Sequence, residues 1–260
     1  IVMNQVKQQL EKIINVYPYE EKILVAPSYA AGRMLLDSCV NLGLRTINLK
    51  ISTLPALAEN IAVQLLAPGE KIVSSDISKE ILFKVIMDIK AEEKFEYFRN
   101  IKLGPGFCRA FYQTIMELKM ASINPQDIDD EKFVDHNKAR DIKKVWQSYE
   151  QAIQTYQFLD KGDVYRLATD NDFEAPKAIY ITLSNLKLSK LEKSFFRAIS
   201  NNKGKIIAVN QPKGLALPNN TFDEGLSNNI MEENDKTNPM LYLYDIKSLP
   251  LKQMDAKDEW

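Results

Sequence analysis

Apolar positions along the chain follow two different spacings, and the chain divides where one gives way to the other. Val6, Leu10, Ile13 and Ile14 stand three and four residues apart, which predicts an amphipathic helix over residues 4–16 that Pro18 stops. The run Lys22-Ile-Leu-Val-Ala-Pro27 is short and almost wholly apolar, the composition of a strand covered on both faces in a parallel sheet. A turn and a helix over residues 30–42 are expected next. The unit then repeats: residues 46–51 alternate like a strand, and residues 54–66 return to helical spacing until Pro68-Gly69 interrupts them. Strands alternating with helices predict an α/β layer with a parallel sheet.

From residue 75 to about 159 every apolar stretch recurs at three and four residues. This predicts a purely helical block, with helices over 76–89, 95–101, 106–121 and 135–156, punctuated by Gly104-Pro105 and Asn124-Pro125. Strand character returns at Ala178-Ile-Tyr-Ile-Thr182, followed by a helix over 189–200 and a strand at Lys205-Ile-Ile-Ala-Val209. One parallel sheet containing residues 23–26, 47–49, 179–181 and 206–209 is therefore expected. The implied organisation is a first sheet part over 1–70, an inserted helical lobe over 71–159, and a second sheet part over 160–260. Within the last, residues 214–239 are rich in Asn, Asp and Glu and read as a mobile polar connection, with Leu241-Tyr-Leu-Tyr244 as a final strand.

Composition changes this picture mainly by exclusion. The 260 residues suffice for a sizeable core. Thirty-four basic residues against 35 acidic ones leave a net charge of −1, so the chain as a whole has no electrostatic pull toward nucleic acid, although a local basic groove is compatible with it. No apolar run is long enough for a membrane span, and residues 1–20 lack the apolar stretch of a secretion signal. Cys39 and Cys108 offer neither a disulfide framework nor a metal cage, which makes a reducing cytoplasm the expected home. The phosphate-cradling pattern G-x-x-x-x-G-K-[ST] is missing, and no cofactor or metal is expected.

Three segments together carry a family resemblance. Ile23-Leu-Val-Ala-Pro-Ser-Tyr-Ala-Ala-Gly-Arg-Met-Leu35, with Ile51-Ser-Thr-Leu-Pro-Ala-Leu57 after it, resembles early motifs of superfamily-one DNA helicases of the UvrD and PcrA kind. The segment from Pro105 to Lys119, with Ile123-Asn-Pro125, is similar to an element of the lobe inserted in the AddB or RexB subunit of bacterial helicase-nucleases. Tyr149 to Ala168, followed by Ala178-Ile-Tyr-Ile-Thr-Leu-Ser-Asn-Leu186, resembles that family's return into its sheet at the Walker B strand. The resemblance implies an α/β fold with a RecA-like parallel-sheet lobe and an inserted all-helical lobe, an inactivated superfamily-one helicase-like arrangement.

Two departures from an active helicase shape the functional expectation. Only an amphipathic helix precedes Ile23, where the phosphate loop belongs, and Thr182-Leu183-Ser184 stands where the Walker B acids would hold magnesium. The chain is therefore expected to carry no catalytic site, and to be the amino-terminal helicase-like part, or a diverged short form, of a DNA-repair exonuclease subunit. Its expected partners are an AddA or RexA type helicase-nuclease subunit and single-stranded or unwinding DNA. The alternative is a structural protein-interaction domain without DNA binding of its own.

By the resemblance, Ser28, Tyr29, Arg33, Ser52 and Thr53 fall where the family brings small polar groups and a helix N-terminus to single-stranded DNA. The plainer alternative makes Ser28 a helix cap and Tyr29 a surface aromatic. Arg109 and Tyr112 are read as solvent and core, or as facing a nucleic-acid channel. His136 is expected exposed at a helix start, Asp160 and Asp163 as helix-capping acids, and Cys108 in the core. The acidic cluster Met231-Glu-Glu-Asn-Asp235 is expected to be a solvated loop.

Overall fold

The computed structural model describes residues 2–209 apart from 172, 174–176, 185 and 203. The polar stretch over 214–239, the acidic cluster at 231–235 and the strand expected at 241–244 lie outside the described residues. The described chain begins with α1 (Val2–Val16), β1 (Glu21–Val25), α2 (Tyr29–Asn41), β2 (Leu49–Ser52) and α3 (Leu54–Leu65). It continues through β3 (Lys71–Ile72), α4 (Ser75–Ala91), α5 (Pro105–Met120), α6 (His136–Thr155), β4 (Phe158–Leu159) and α7 (Lys161–Asp170). It closes with β5 (Ala178–Leu183), α8 (Lys190–Asn201) and β6 (Lys205–Val209).

This is a mixed α/β protein around a parallel sheet of order β2-β1-β5-β6. The alternation of strand side chains decides its layers. Ile23, Val25, Tyr180 and Ile206 enter a core shared with α3, α7 and α8, while Leu24, Ile179, Ile181, Ile207 and Val209 enter one shared with α1 and α2. The sheet is thus covered on both faces, as its apolar runs require. Each fully buried aliphatic side chain there contributes about 1.5–3 kcal/mol. A third core belongs to α4, α5 and α6 together with Phe95 and Phe98.

Three expectations need correction. The second strand begins at Leu49, not near residue 46: Asn48 takes a left-handed φ of 52° that breaks the extended run, and Ile47 is left 56% exposed. The helix expected over 95–101 does not form. Instead the carboxylate of Asp141 on α6 gathers the N–H groups of Glu96, Tyr97 and Phe98 at 3.1, 2.8 and 3.0 Å, so these amides point at one side chain and not up a helix. Finally, the helical block ends in a strand, since Gln157 turns left-handed at φ 55° and releases Phe158–Leu159 to pair in parallel with Lys71–Ile72.

Candidate functional site

In a parallel sheet every strand ends at one edge, and the helix after it begins there. Ser28 is the N-cap of α2, with its Oγ accepting from the Ala31 N–H at 3.2 Å, and Tyr29 opens the helix with 60% exposure. Thr53 caps α3 in the same way, accepting from the Ala56 N–H at 3.4 Å. Ser52 is the last residue of β2, in register with Val25, and its carbonyl accepts from the Ala26 N–H at 2.9 Å. Ser28, Tyr29, Ser52 and Thr53 therefore meet at the carboxyl edge of adjacent strands, and Arg33 stands one turn further along α2. Gly32 is what lets α2 lie so close. A Cβ on it would fall 2.6 Å from Cγ2 of Ile51 and 2.9 Å from Cβ of Ala26.

Two capped helix starts give this edge a partial positive character. Full charge is scarcer. Arg33 is the only cation among the five, and it pairs with Asp37 on its own helix at 3.1 Å, with both side chains exposed. The hydrogen bond and charge of Asp37 raise the guanidinium pKa further, so Arg33 stays charged but partly neutralised. On the other side of β1, Thr182 of β5 is in register with Val25, and Ser184 follows with its Oγ buried and without a hydrogen-bond partner among the described residues. This edge can donate hydrogen bonds and offer one aromatic ring. At the end of β5, Thr182 is buried and its hydroxyl donates to the Leu183 carbonyl at 3.5 Å.

Other residues singled out in the sequence fall as the plainer reading had them. Tyr112 is buried and Arg109 exposed, His136 is the exposed first residue of α6, and Cys108 is in the core, where burial pushes its thiol pKa up. Asp160 and Asp163 form a capping box at the start of α7. The sequence reading missed the lysine they receive: Lys119, fully buried on α5, meets Asp160, Asp163 and Glu150. It also missed Asp141. Both were visible as charges on an apolar stripe, Lys119 four residues after Ile115 and Asp141 four before Val145, positions a helix reserves for its core.

Sheet, layers and edge define an α/β protein that gathers small polar side chains, one aromatic ring and two helix starts at the carboxyl side of a parallel sheet. Residues 5–175 match the family described as ADDB, N-terminal, and the chain belongs to that family. It is thereby an AddB-type protein, in the setting of DNA repair. No curated protein matches it. Among the described residues no helix is long and apolar enough to cross a membrane.

Proposed function

We propose that this chain is a helicase-like module without ATP hydrolysis, part of an AddB or RexB type ATP-dependent exonuclease in double-strand break repair. It scaffolds an AddA or RexA type partner and guides single-stranded or unwinding DNA. In this reading residues 1–70 and 160–260 form a RecA-like sheet lobe and residues 71–159 a helical lobe set into it. The observation that carries the DNA role is the convergence of Ser28, Tyr29, Ser52 and Thr53 at one sheet edge. Amides and hydroxyls there suit phosphate oxygens, which position a strand without reading its sequence, and the exposed Tyr29 ring suits a stacked base.

The second reading, a structural module with no DNA contact, is favoured by the Arg33–Asp37 pair, because a phosphate must compete with Asp37 for the one cation among Ser28, Tyr29, Arg33, Ser52 and Thr53. Fluorescence anisotropy of a labelled oligothymidine separates the two. The DNA-guiding reading expects binding that weakens steeply with salt, since each neutralised phosphate releases condensed counterions. No binding at low salt would leave the scaffold alone.

A further inference from the structure

Lys119 brings an ammonium group, fully buried, to the joint where the α4–α6 cluster meets α7. Its donors are committed to Asp163 at 2.7 Å, Asp160 at 2.8 Å and Glu150 at 3.0 Å. The acids are tied in turn. Asp160 accepts from the Tyr149 hydroxyl at 3.0 Å and caps the Gly162 and Asp163 amides, while Glu150 accepts from the Trp146 indole N–H at 2.9 Å. Three carboxylates thus surround one cation, a surplus of two negative charges at side chains that are 0% (Asp160) and 20% (Glu150 and Asp163) exposed. Glu150 comes from α6 and Asp163 from α7, so the surplus acts across the joint. The cleft that opens onto these two acids, about 490 Å³, adds Glu70 and Asp170, and its Arg166 is turned to the Ile123 carbonyl and Asn124.

We propose that this joint is a proton-sensitive latch: a proton taken up by Asp163 relieves the repulsion between the carboxylates of α6 and α7 and draws the helical cluster tight, and its release loosens the joint. Lys119 and the two tyrosines facing this cluster keep their charge states over the same range. Burial lowers the Lys119 ammonium, but Asp160, Asp163 and Glu150 outweigh it and hold its pKa above the ordinary lysine value. Burial and the charge of Asp160 push up the hydroxyls of Tyr112 on α5 and Tyr149 on α6, so neither ionises. Glu192 of α8 is engaged with the Tyr165 hydroxyl at 3.5 Å.

Burial and then Asp160 push the Asp163 carboxyl up to about 6, against the pull of Lys119. A carboxyl raised in the folded state binds its proton more tightly there than in an open one. Its stabilising contribution is therefore complete below the ordinary carboxylate value and is lost as pH rises through about 6.

Trp146 is the reporter for the test, because its indole is bonded to Glu150 and the chain's other tryptophan, Trp260, can be replaced by phenylalanine. In the Trp260→Phe protein, Trp146 emission is expected to show a transition centred near pH 6. Asp163→Asn should abolish it, and Glu150→Gln should move it to lower pH by removing a like charge. Hydrogen exchange of the amides at 71–73 and 158–163, corrected for intrinsic rates, should be several-fold slower on the acid side. His136→Gln serves as the control for the single histidine and should leave the transition in place. No transition, one that survives Asp163→Asn, or one that vanishes with His136 overturns the proposal. Should Asp163→Asn fail to fold by circular dichroism, an unmoved midpoint in Glu150→Gln overturns it equally.

Discussion

Lys119 and Asp160 meet at 2.8 Å with neither side chain exposed, and Gly162 lies so close to the lysine stem that a Cβ there would fall 2.7 Å from its Cε. Such a pair gives little net stability over a well-packed apolar substitute, but breaking it from one side strands a buried charge. Lys119→Met is therefore expected to destabilise the protein by about 3–5 kcal/mol, read from urea denaturation. The loss should shrink as pH falls, because the orphaned carboxylates can then take up protons.

Among the described residues Asp141 forms no ion pair in the core of the helical cluster; its partners are backbone amides. Asp141→Ala removes the acceptor for three N–H groups at once, each orphaned donor costing about 1–3 kcal/mol if it stays dry. Because the 95–101 segment can rearrange toward water, a total of about 2–4 kcal/mol is expected, with hydrogen exchange rising first at Glu96, Tyr97 and Phe98.

Two glycines placed in helices should respond in opposite directions to alanine. At Gly32 the added methyl collides with Ile51 of β2 and with Ala26 just past the end of β1, so Gly32→Ala should cost about 1–3 kcal/mol and disturb the start of α2. At Gly106, in the first turn of α5, nothing lies within 4 Å, and Gly106→Ala should be neutral or stabilise by about 0.4–1 kcal/mol. Thermal unfolding of the two variants side by side checks the pair, and equal shifts would contradict it.

Tyr29 and Arg33 are exposed and anchor no core, so alanine at either should leave stability within about 0.5 kcal/mol of the parent. Any loss of oligothymidine binding then belongs to the surface itself. Tyr29→Ala should weaken binding by about 1–3 kcal/mol, the worth of one stacked base. Arg33→Ala should reduce the salt slope by about 1. Asp37→Ala should strengthen binding by freeing the guanidinium, an outcome the purely structural reading does not expect.

Much of the fold was legible in the chain because burial on both faces leaves an uninterrupted apolar run, and a buried helix face leaves a stripe at three and four residues. Ile23 to Val25, Ile179 to Ile181 and Ile206 to Val209 announced their strands in this way, and Val6, Leu10 and Ile13 their helix. The edge residues were legible in part: Ser28 and Thr53 cap helices by local chemistry, and parallel strands oblige them to share one edge. Tertiary structure alone decided the rest. Phe95 to Ile101 has helical spacing, yet a carboxylate more than forty residues away takes its amides. Phe158 becomes a strand only because Lys71 lies beside it. Lys119 stands on an apolar stripe, but the carboxylates that receive it, Glu150, Asp160 and Asp163, are brought to it only when the fold closes. Spacing along a chain records which face of an element is covered, whereas the partner of a buried charge or amide is set by contacts distant in sequence.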